Sequence, residues 1–129
     1  MNVNKKNTVI AAILGALTIA IGAFGTHGLK EIVSEKPITS FEIGVRYQMY
    51  HVIVLIIIGF STLIDQKTQK WASRFFIFGI FLFSGSIYLI TLKEFFSFNT
   101  KIFTILTPIG GLFLITGWLR LAYGIIVNK

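Results

Sequence analysis

The stretch Phe41-Glu-Ile-Gly-Val-Arg-Tyr-Gln-Met-Tyr-His51 leads directly into an apolar run that occupies residues 52–63. Apart from one Ser and one Thr, this run contains only Val, Ile, Leu, Gly and Phe. Polar and charged side chains at the end of a membrane helix cost free energy unless they have partners, so their presence calls for a structural or functional reason. The segment therefore predicts a transmembrane helix that carries a dense polar cluster at one end.

The rest of the 129-residue chain is similarly apolar, with 54% hydrophobic and 13% charged residues. A soluble domain usually has about 25% charged residues. About 20 apolar residues span the hydrocarbon layer of a bilayer, and this chain has room for four such segments. We predict an all-α fold, a polytopic membrane protein forming one four-transmembrane-helix bundle over residues 1–129. The expected helices occupy about residues 8–29, 41–64, 72–92 and 102–126.

The first two of the three connections between these helices are expected to be polar segments on opposite sides of the membrane. Residues 30–40 predict a loop, in which a short interfacial helix ends at Pro37 because proline breaks a helix interior. Ser40 is then the expected cap of the second helix, since serine hydroxyls accept from free N–H groups in a first turn. Residues 65–70, Asp-Gln-Lys-Thr-Gln-Lys, predict the short loop before the third helix.

Charge and cysteine content exclude several classes of function. The net charge is +7, but the basic residues are dispersed among helix ends rather than gathered on one face. Membrane topology and anionic headgroups explain that distribution, so we expect membrane lipids and no nucleic acid as partners. The absence of cysteine excludes disulfides, thiolate catalysis and cysteine metal sites. With two histidines and five acids, we expect no metal and no cofactor.

The basic residues also predict an orientation in the membrane. Four helices place both termini and the middle loop on one side, with seven basic residues: Lys5, Lys6, Lys67, Lys70, Arg74, Arg120 and Lys129. The other side has five: Lys30, Lys36, Arg46, Lys93 and Lys101. The positive-inside rule therefore predicts cytoplasmic termini in a plasma membrane protein.

The candidate polar site combines one residue of the first helix with the start of the second. Residues 42, 46 and 50 follow an i, i+4, i+8 spacing and share a helix face, while Tyr47 and His51 lie on a neighbouring face. The topology brings His27 to the same side of the membrane, with Ser84, Ser86 and Thr107 as expected neighbours. The predicted site residues are His27, Glu42, Arg46, Tyr47, Gln48, Tyr50 and His51.

Two interpretations of this cluster remain open. In the structural one, Glu42 pairs with Arg46, the tyrosines join an aromatic belt, and the two histidines satisfy helix-end carbonyls or bond to one another's helices. In the functional one, the cluster is a polar pocket open to the outer face, since ionisable groups in membrane spans often mark sites. Its place near the interface rather than the midplane favours the structural interpretation. A hydrated cavity shared by Arg46, His27 and His51 would favour the functional one.

Small residues form stripes on the first and fourth helices, and such stripes allow close helix packing. They predict a non-enzymatic accessory or scaffold component that packs with itself, as a homo-oligomer, or with a larger membrane complex. The alternative is a protein that handles a small molecule, lipid or ion around His27, Arg46 and His51. We expect no enzyme, because catalytic serine, nucleotide-binding and zinc-protease patterns are absent. The stripes are Ala11, Gly15, Thr18, Gly22 and Gly25, and Gly110, Gly117 and Gly124.

Several blocks, in order along nearly the whole chain, resemble a known family. They are Gly22-Ala-Phe-Gly-Thr-His-Gly-Leu29, Phe41-Glu-x-Gly-x-Arg-Tyr-Gln-Met-Tyr-His51, Phe83-Ser-Gly-Ser-x-Tyr-Leu89, Thr107-Pro-Ile-Gly-Gly-Leu112 and Gly117-Trp118. This pattern is similar to domain of unknown function 423, the small membrane protein family that includes transmembrane protein 256. Thr26 and Ile43 depart from the alanine and threonine expected there. The resemblance implies four membrane helices and no established activity, and it marks the same polar residues.

Overall fold

The computed structural model describes residues 4–95 and 99–128, so Lys129, counted above among the basic residues, lies outside it. Four long helices account for most of the described chain: α1 at Lys5–Ile32, α2 at Glu35–Phe60, α3 at Gln66–Thr91 and α4 at Lys101–Val127. Each is long and apolar enough to cross a membrane. No strand occurs in the described ranges, which confirms the predicted all-α membrane fold.

Each helix packs mainly against its neighbours in the chain. The α3–α4 contact is the most extensive, and the main partner of α1 is α2. Helices α2 and α3 bury more of their apolar spans than α1 and α4 do, so they form the middle of the bundle. The buried apolar core joins all four helices through Leu14, Val52, Leu55, Phe76 and Leu114.

The glycine stripes of α1 and α4 face neighbouring helices of the same chain. A Cβ placed on Gly15 or Gly22 would lie 3.3 Å from a methyl group of Val52 or Val45 on α2. On α4, a Cβ at Gly110 would overlap the α3 backbone. The stripes therefore provide the close helix approach that the sequence predicts, and they provide it inside the monomer.

The expected loop over residues 30–40 is wrong. Helix α1 continues to Ile32, and α2 already begins at Glu35, so the connection consists of Val33 and Ser34. Pro37 lies within the first turn of α2, where a backbone N–H has no acceptor inside the helix, so proline is tolerated there. Ser40, the expected cap, consequently lies inside the helix.

The boundary between the second and third helices also differs from the expectation. Helix α2 ends at Phe60, and residues 66–70 form the start of α3 rather than a loop. The side chain of Asp65 caps α3 by accepting a 3.2 Å hydrogen bond from the Thr68 N–H. An acceptor at this position satisfies one free N–H of the first turn, so the helix begins within the polar segment.

Both ends of the described chain lie at the same end of the bundle. The Asn4 N–H donates to the Gly59 carbonyl at 2.9 Å, and the Asn128 side chain donates to Asp65 at 2.5 Å. We call this the terminal end. The opposite end, which holds Val33 and Ser34, is called the hairpin end.

Candidate functional site

A groove of about 550 Å³ runs between α1 and α2 near the hairpin end. Its polar part is formed by His27 of α1 and by Glu42 and Arg46 of α2. Its remaining walls are mostly apolar and include Ile19, Ile38, Phe41, Val45 and Met49. We call this cleft the α1–α2 groove. It combines three polar side chains with mostly apolar walls.

Local helix geometry places the three polar side chains together. Glu42 and Arg46 are four residues apart, so both lie on the face of α2 that is turned towards α1. His27 lies in a π-helical turn, Gly25–Leu29, which interrupts the regular geometry of α1. Insertions of this kind occur frequently at functional sites. Within the turn, Gly25 is buried against the Phe41 ring, and a Cβ there would overlap that ring.

The polar groups of the groove have no partners within the described part of the chain. His27, Glu42 and Arg46 are all exposed, and their side chains make no hydrogen bond or ion pair with another described residue. The Glu42–Arg46 ion pair of the structural interpretation is therefore not formed. These donors and acceptors face the groove and are free to meet a bound molecule.

His51 lies elsewhere, so the expected shared site of His27, Arg46 and His51 is wrong. Its side chain is only 5% exposed and contacts the rings of Phe76 and Trp118, with centroids 5.3 and 5.9 Å away. The reason is helical geometry: at 3.6 residues per turn, positions five apart differ by about 140° around the axis. Arg46 thus faces α1, while His51 faces α3 and α4.

The other predicted site residues on α2 lie outside the α1–α2 groove. Gln48 is buried and accepts a 2.6 Å hydrogen bond from the Tyr88 hydroxyl. The Tyr47 ring lies 5.0 Å from the Phe83 ring and 5.8 Å from the Tyr50 ring, measured between centroids. Tyr47 and Gln48 thus contact α3. His51 contacts α3 and α4, whereas the structural interpretation expected helix-end carbonyls or the helix of His27 as its partners.

The hydroxyls predicted as neighbours of the site hold helices together instead. Ser84 donates a 2.7 Å hydrogen bond to the Gly44 carbonyl of α2. The hydroxyls of Ser86 and Thr107 lie 2.5 Å apart and join α3 to α4. None of them lines the α1–α2 groove.

Sequence reasoning missed the apolar half of the groove and the partner of His51. Phe41, Val45 and Met49 repeat at i, i+4, i+8 beside the polar stripe, so their spacing contained a usable signal. Trp118 lies 67 residues from His51, and no local pattern connects the two.

The groove provides one guanidinium, one carboxylate and one imidazole. No group of three or more His, Asp or Glu side chains that could hold a metal ion occurs within the residues described. Thr18 and Thr26 also line the groove, but their hydroxyls donate to the carbonyls of Leu14 and Gly22. The arrangement can therefore bind charged and hydrogen-bonding groups, and it contains no activated nucleophile among the described residues.

Comparison with known proteins identifies the family of this chain. Residues 21–111 match the family described as "Protein of unknown function (DUF423)". A UPF0382 membrane protein of Haemophilus influenzae is 34% identical over 125 residues, covering 97% of each chain. One from Staphylococcus haemolyticus is 38% identical over 117 residues, covering 91% of this chain and 92% of the relative.

A third relative is the UPF0382 inner membrane protein YgdD of Escherichia coli. It is 31% identical over 124 residues, covering 94% of this chain and 89% of its own. No solved structure matches the chain. The matches extend through all four helices, and the chain belongs to the DUF423 family of membrane proteins.

Proposed function

We propose that this protein is a non-enzymatic membrane protein that binds an amphiphile in the α1–α2 groove. One observation carries the proposal: three polar side chains without described partners line an otherwise mostly apolar groove of about 550 Å³. Ligand pockets in proteins typically measure about 300–1,000 Å³ and combine apolar walls with a few polar groups. An amphiphile likewise combines a polar head with an apolar body.

The chemistry of the three polar side chains indicates what kind of headgroup fits. The Arg46 guanidinium suits a phosphate or carboxylate, because its planar donors can bind two oxygens at once. Glu42, four residues away on the same face, is an acceptor for a cationic nitrogen. A zwitterionic headgroup such as phosphoethanolamine therefore satisfies both charges, with His27 as an additional hydrogen-bonding group.

A test with the full-length protein can use phosphatidylethanolamine as the probe. The protein is reconstituted in mild detergent with this lipid, and the amount retained is measured by native mass spectrometry. Arg46→Met should reduce apparent affinity about tenfold or more, since a hydrogen bond to a charged group contributes about 1.5–3 kcal/mol. Arg74→Met, which removes the same charge from the terminal half of α3, is the matched control and should retain the lipid.

Two results would overturn the proposal. Retention by Arg46→Met equal to that of the wild type would show that the groove does not bind the headgroup. Failure of Arg46→Met to fold, judged by circular dichroism and size-exclusion chromatography, would mean that Arg46 is structural. The exposed position of Arg46 and its lack of described partners predict that the variant folds.

An accessory role, in which the chain packs with itself or with a larger complex, has less support. The glycine stripes that motivated it face helices of the same chain. The remaining outer surfaces of α1 and α4 are apolar, as lipid contact alone requires. The groove therefore supports the amphiphile-binding role better.

We also propose that both termini are cytoplasmic in the plasma membrane and that the groove opens near the outer surface. The seven basic residues assigned to the terminal end, against five at the hairpin end, support this orientation. Because the chain has no cysteine, single substitutions such as Ser34→Cys and Lys67→Cys report it directly. A membrane-impermeant maleimide should label Ser34→Cys in intact cells and spare Lys67→Cys, and the reverse pattern would refute the orientation.

A further inference from the structure

A second groove, of about 610 Å³, lies at the hairpin end between α2, α3 and α4. Its mouth carries Lys36 from the first turn of α2 and Lys93 from the turn that follows α3. We call it the lysine groove. It shares no lining residue with the α1–α2 groove, so it is a separate feature of the surface.

The charged residues described in the lining of the lysine groove all have one sign. Lys36 and Lys93 are its only charged lining residues among those described, and both are exposed. Neither ammonium group makes a hydrogen bond or ion pair with another described side chain. Glu35 precedes Lys36 in the chain but does not line the groove. The mouth is thus a cationic pair without a described counter-ion, whereas the α1–α2 groove combines both signs.

The walls below the lysines are apolar or have hydroxyls engaged with helix carbonyls. Ile43, Ile87, Ile90 and Pro108 provide the apolar surface. Thr91, Thr104 and Thr107 donate to the carbonyls of Ile87, Lys101 and Phe103. Ser40 is the exception, because its hydroxyl makes no hydrogen bond to another described residue. It can therefore donate to a ligand at the mouth.

We propose that the lysine groove binds an anionic glycerophospholipid, with its phosphate between Lys36 and Lys93 and an acyl chain along Ile43, Ile87 and Ile90. Charge complementarity carries the inference, because basic pockets between transmembrane helices suit anionic headgroups. The apolar walls distinguish a lipid from free phosphate, which would use the mouth alone. Ser40 is the uncharged donor for a phosphate oxygen.

The test uses the full chain in mild detergent and compares phosphatidylglycerol with phosphatidylcholine by native mass spectrometry. The wild type should retain phosphatidylglycerol in preference. The double variant Lys36→Gln/Lys93→Gln should lose affinity by about thirtyfold, since each lysine near an anionic headgroup contributes roughly a fivefold change. Lys67→Gln/Lys70→Gln, which removes two charges at the terminal end, is the matched control and should lose little.

A second variant tests the walls without changing the charge. Ile90→Trp fills the groove beneath the lysines and should also reduce phosphatidylglycerol retention. Inorganic phosphate in large excess should leave the lipid bound. Any one of four results would overturn the proposal. Two concern the lipid itself: equal retention of both lipids, or displacement of phosphatidylglycerol by phosphate. Two concern the variants: unchanged retention in Lys36→Gln/Lys93→Gln, or an equal loss in the Lys67→Gln/Lys70→Gln control. Because Arg46→Met leaves the lysine groove intact, that variant should retain phosphatidylglycerol, which separates this test from that of the α1–α2 groove.

Discussion

The indole N–H of Trp118 on α4 donates a 3.0 Å hydrogen bond to Nε2 of His51 on α2. Indole can only donate, so Nε2 must accept and carry no proton. The other ring nitrogen, Nδ1, then holds the proton and donates it to the Tyr47 carbonyl at 2.7 Å. The pair therefore assigns the neutral Nδ1–H tautomer to His51, and it joins two helices that are not consecutive in the chain.

We expect Trp118→Phe to lower the free energy of unfolding by about 1–3 kcal/mol, because the buried Nε2 loses its donor while most of the ring contact is kept. Reversible unfolding in mixed micelles with sodium dodecyl sulfate measures this change. Trp71→Phe is the matched control, because the Trp71 indole N–H makes no hydrogen bond with another described residue. Equal losses in the two variants would contradict the role assigned to the hydrogen bond.

Neighbouring glycines on α4 should respond differently to the same substitution. A Cβ on Gly110 would overlap the backbone of Leu82 and Phe83, which cannot move aside as a flexible side chain can. Gly110→Ala should therefore separate α3 from α4 and cost about 1–3 kcal/mol, the usual range for overpacking. At Gly111 the nearest atom would be a Phe83 ring carbon 3.8 Å away, an ordinary contact.

Gly111→Ala is accordingly the control for Gly110→Ala, one residue away on the same helix. It should be neutral or stabilise the fold by up to about 1 kcal/mol, the helix propensity that separates alanine from glycine. The same micelle unfolding assay measures both variants. Similar effects of the two substitutions would show that helix propensity, rather than the close approach at Gly110, governs this contact.

The number of helices and the polar face of α2 were both predictable from the sequence. Apolar runs long enough to span a bilayer are a local property, so counting them predicts the fold class. The four-residue spacing of Glu42 and Arg46 is also local, and it predicts their common face. His27 lies near the end of the first helix, and Glu42 and Arg46 lie near the start of the second. All three were therefore predictable at the same end of the bundle. Each of these predictions depends on one helix at a time.

The predictions that failed depend on how the helices pack or on which residues the start of a helix accepts. The spacing of Arg46 and His51 separates them by about 140° around α2. Which helix lies on each side of α2 is decided by packing, and the sequence of α2 does not contain that information. Residues 66–70 are polar and resemble a loop, yet the Asp65 cap begins the helix before them. Pro37 resembles a helix breaker, yet a first turn accepts proline because its N–H groups need no partner within the helix. The sequence was therefore insufficient to predict the non-local packing and the positions of the helix ends.

The hydrogen bond between the Tyr88 hydroxyl and Gln48 should couple α3 to α2. The donor–acceptor distance is 2.6 Å and Gln48 is buried, so loss of the Tyr88 hydroxyl leaves the amide oxygen of Gln48 without this donor. A double-mutant cycle with Tyr88→Phe and Gln48→Leu should give a coupling energy of about 0.6 kcal/mol, the average for hydrogen bonds between membrane helices. The control cycle replaces Tyr88→Phe by Tyr123→Phe and should give none. Coupling of equal size in both cycles would contradict a specific bond.

Asp65 should make the terminal end sensitive to acid. Hydrogen bonding from Thr68 lowers the pKa of the Asp65 carboxyl below its ordinary value. A carboxyl whose folded pKa is depressed contributes stability that is present above the unfolded pKa, near 4, and is lost as the pH falls through the folded pKa. Asp65→Asn keeps a capping side chain that does not titrate. The thermal midpoint of the wild type should exceed that of Asp65→Asn at pH 7, and the difference should shrink as the pH falls to about 3. A difference that stays constant over this range would show that the ionised carboxylate does not provide the stability.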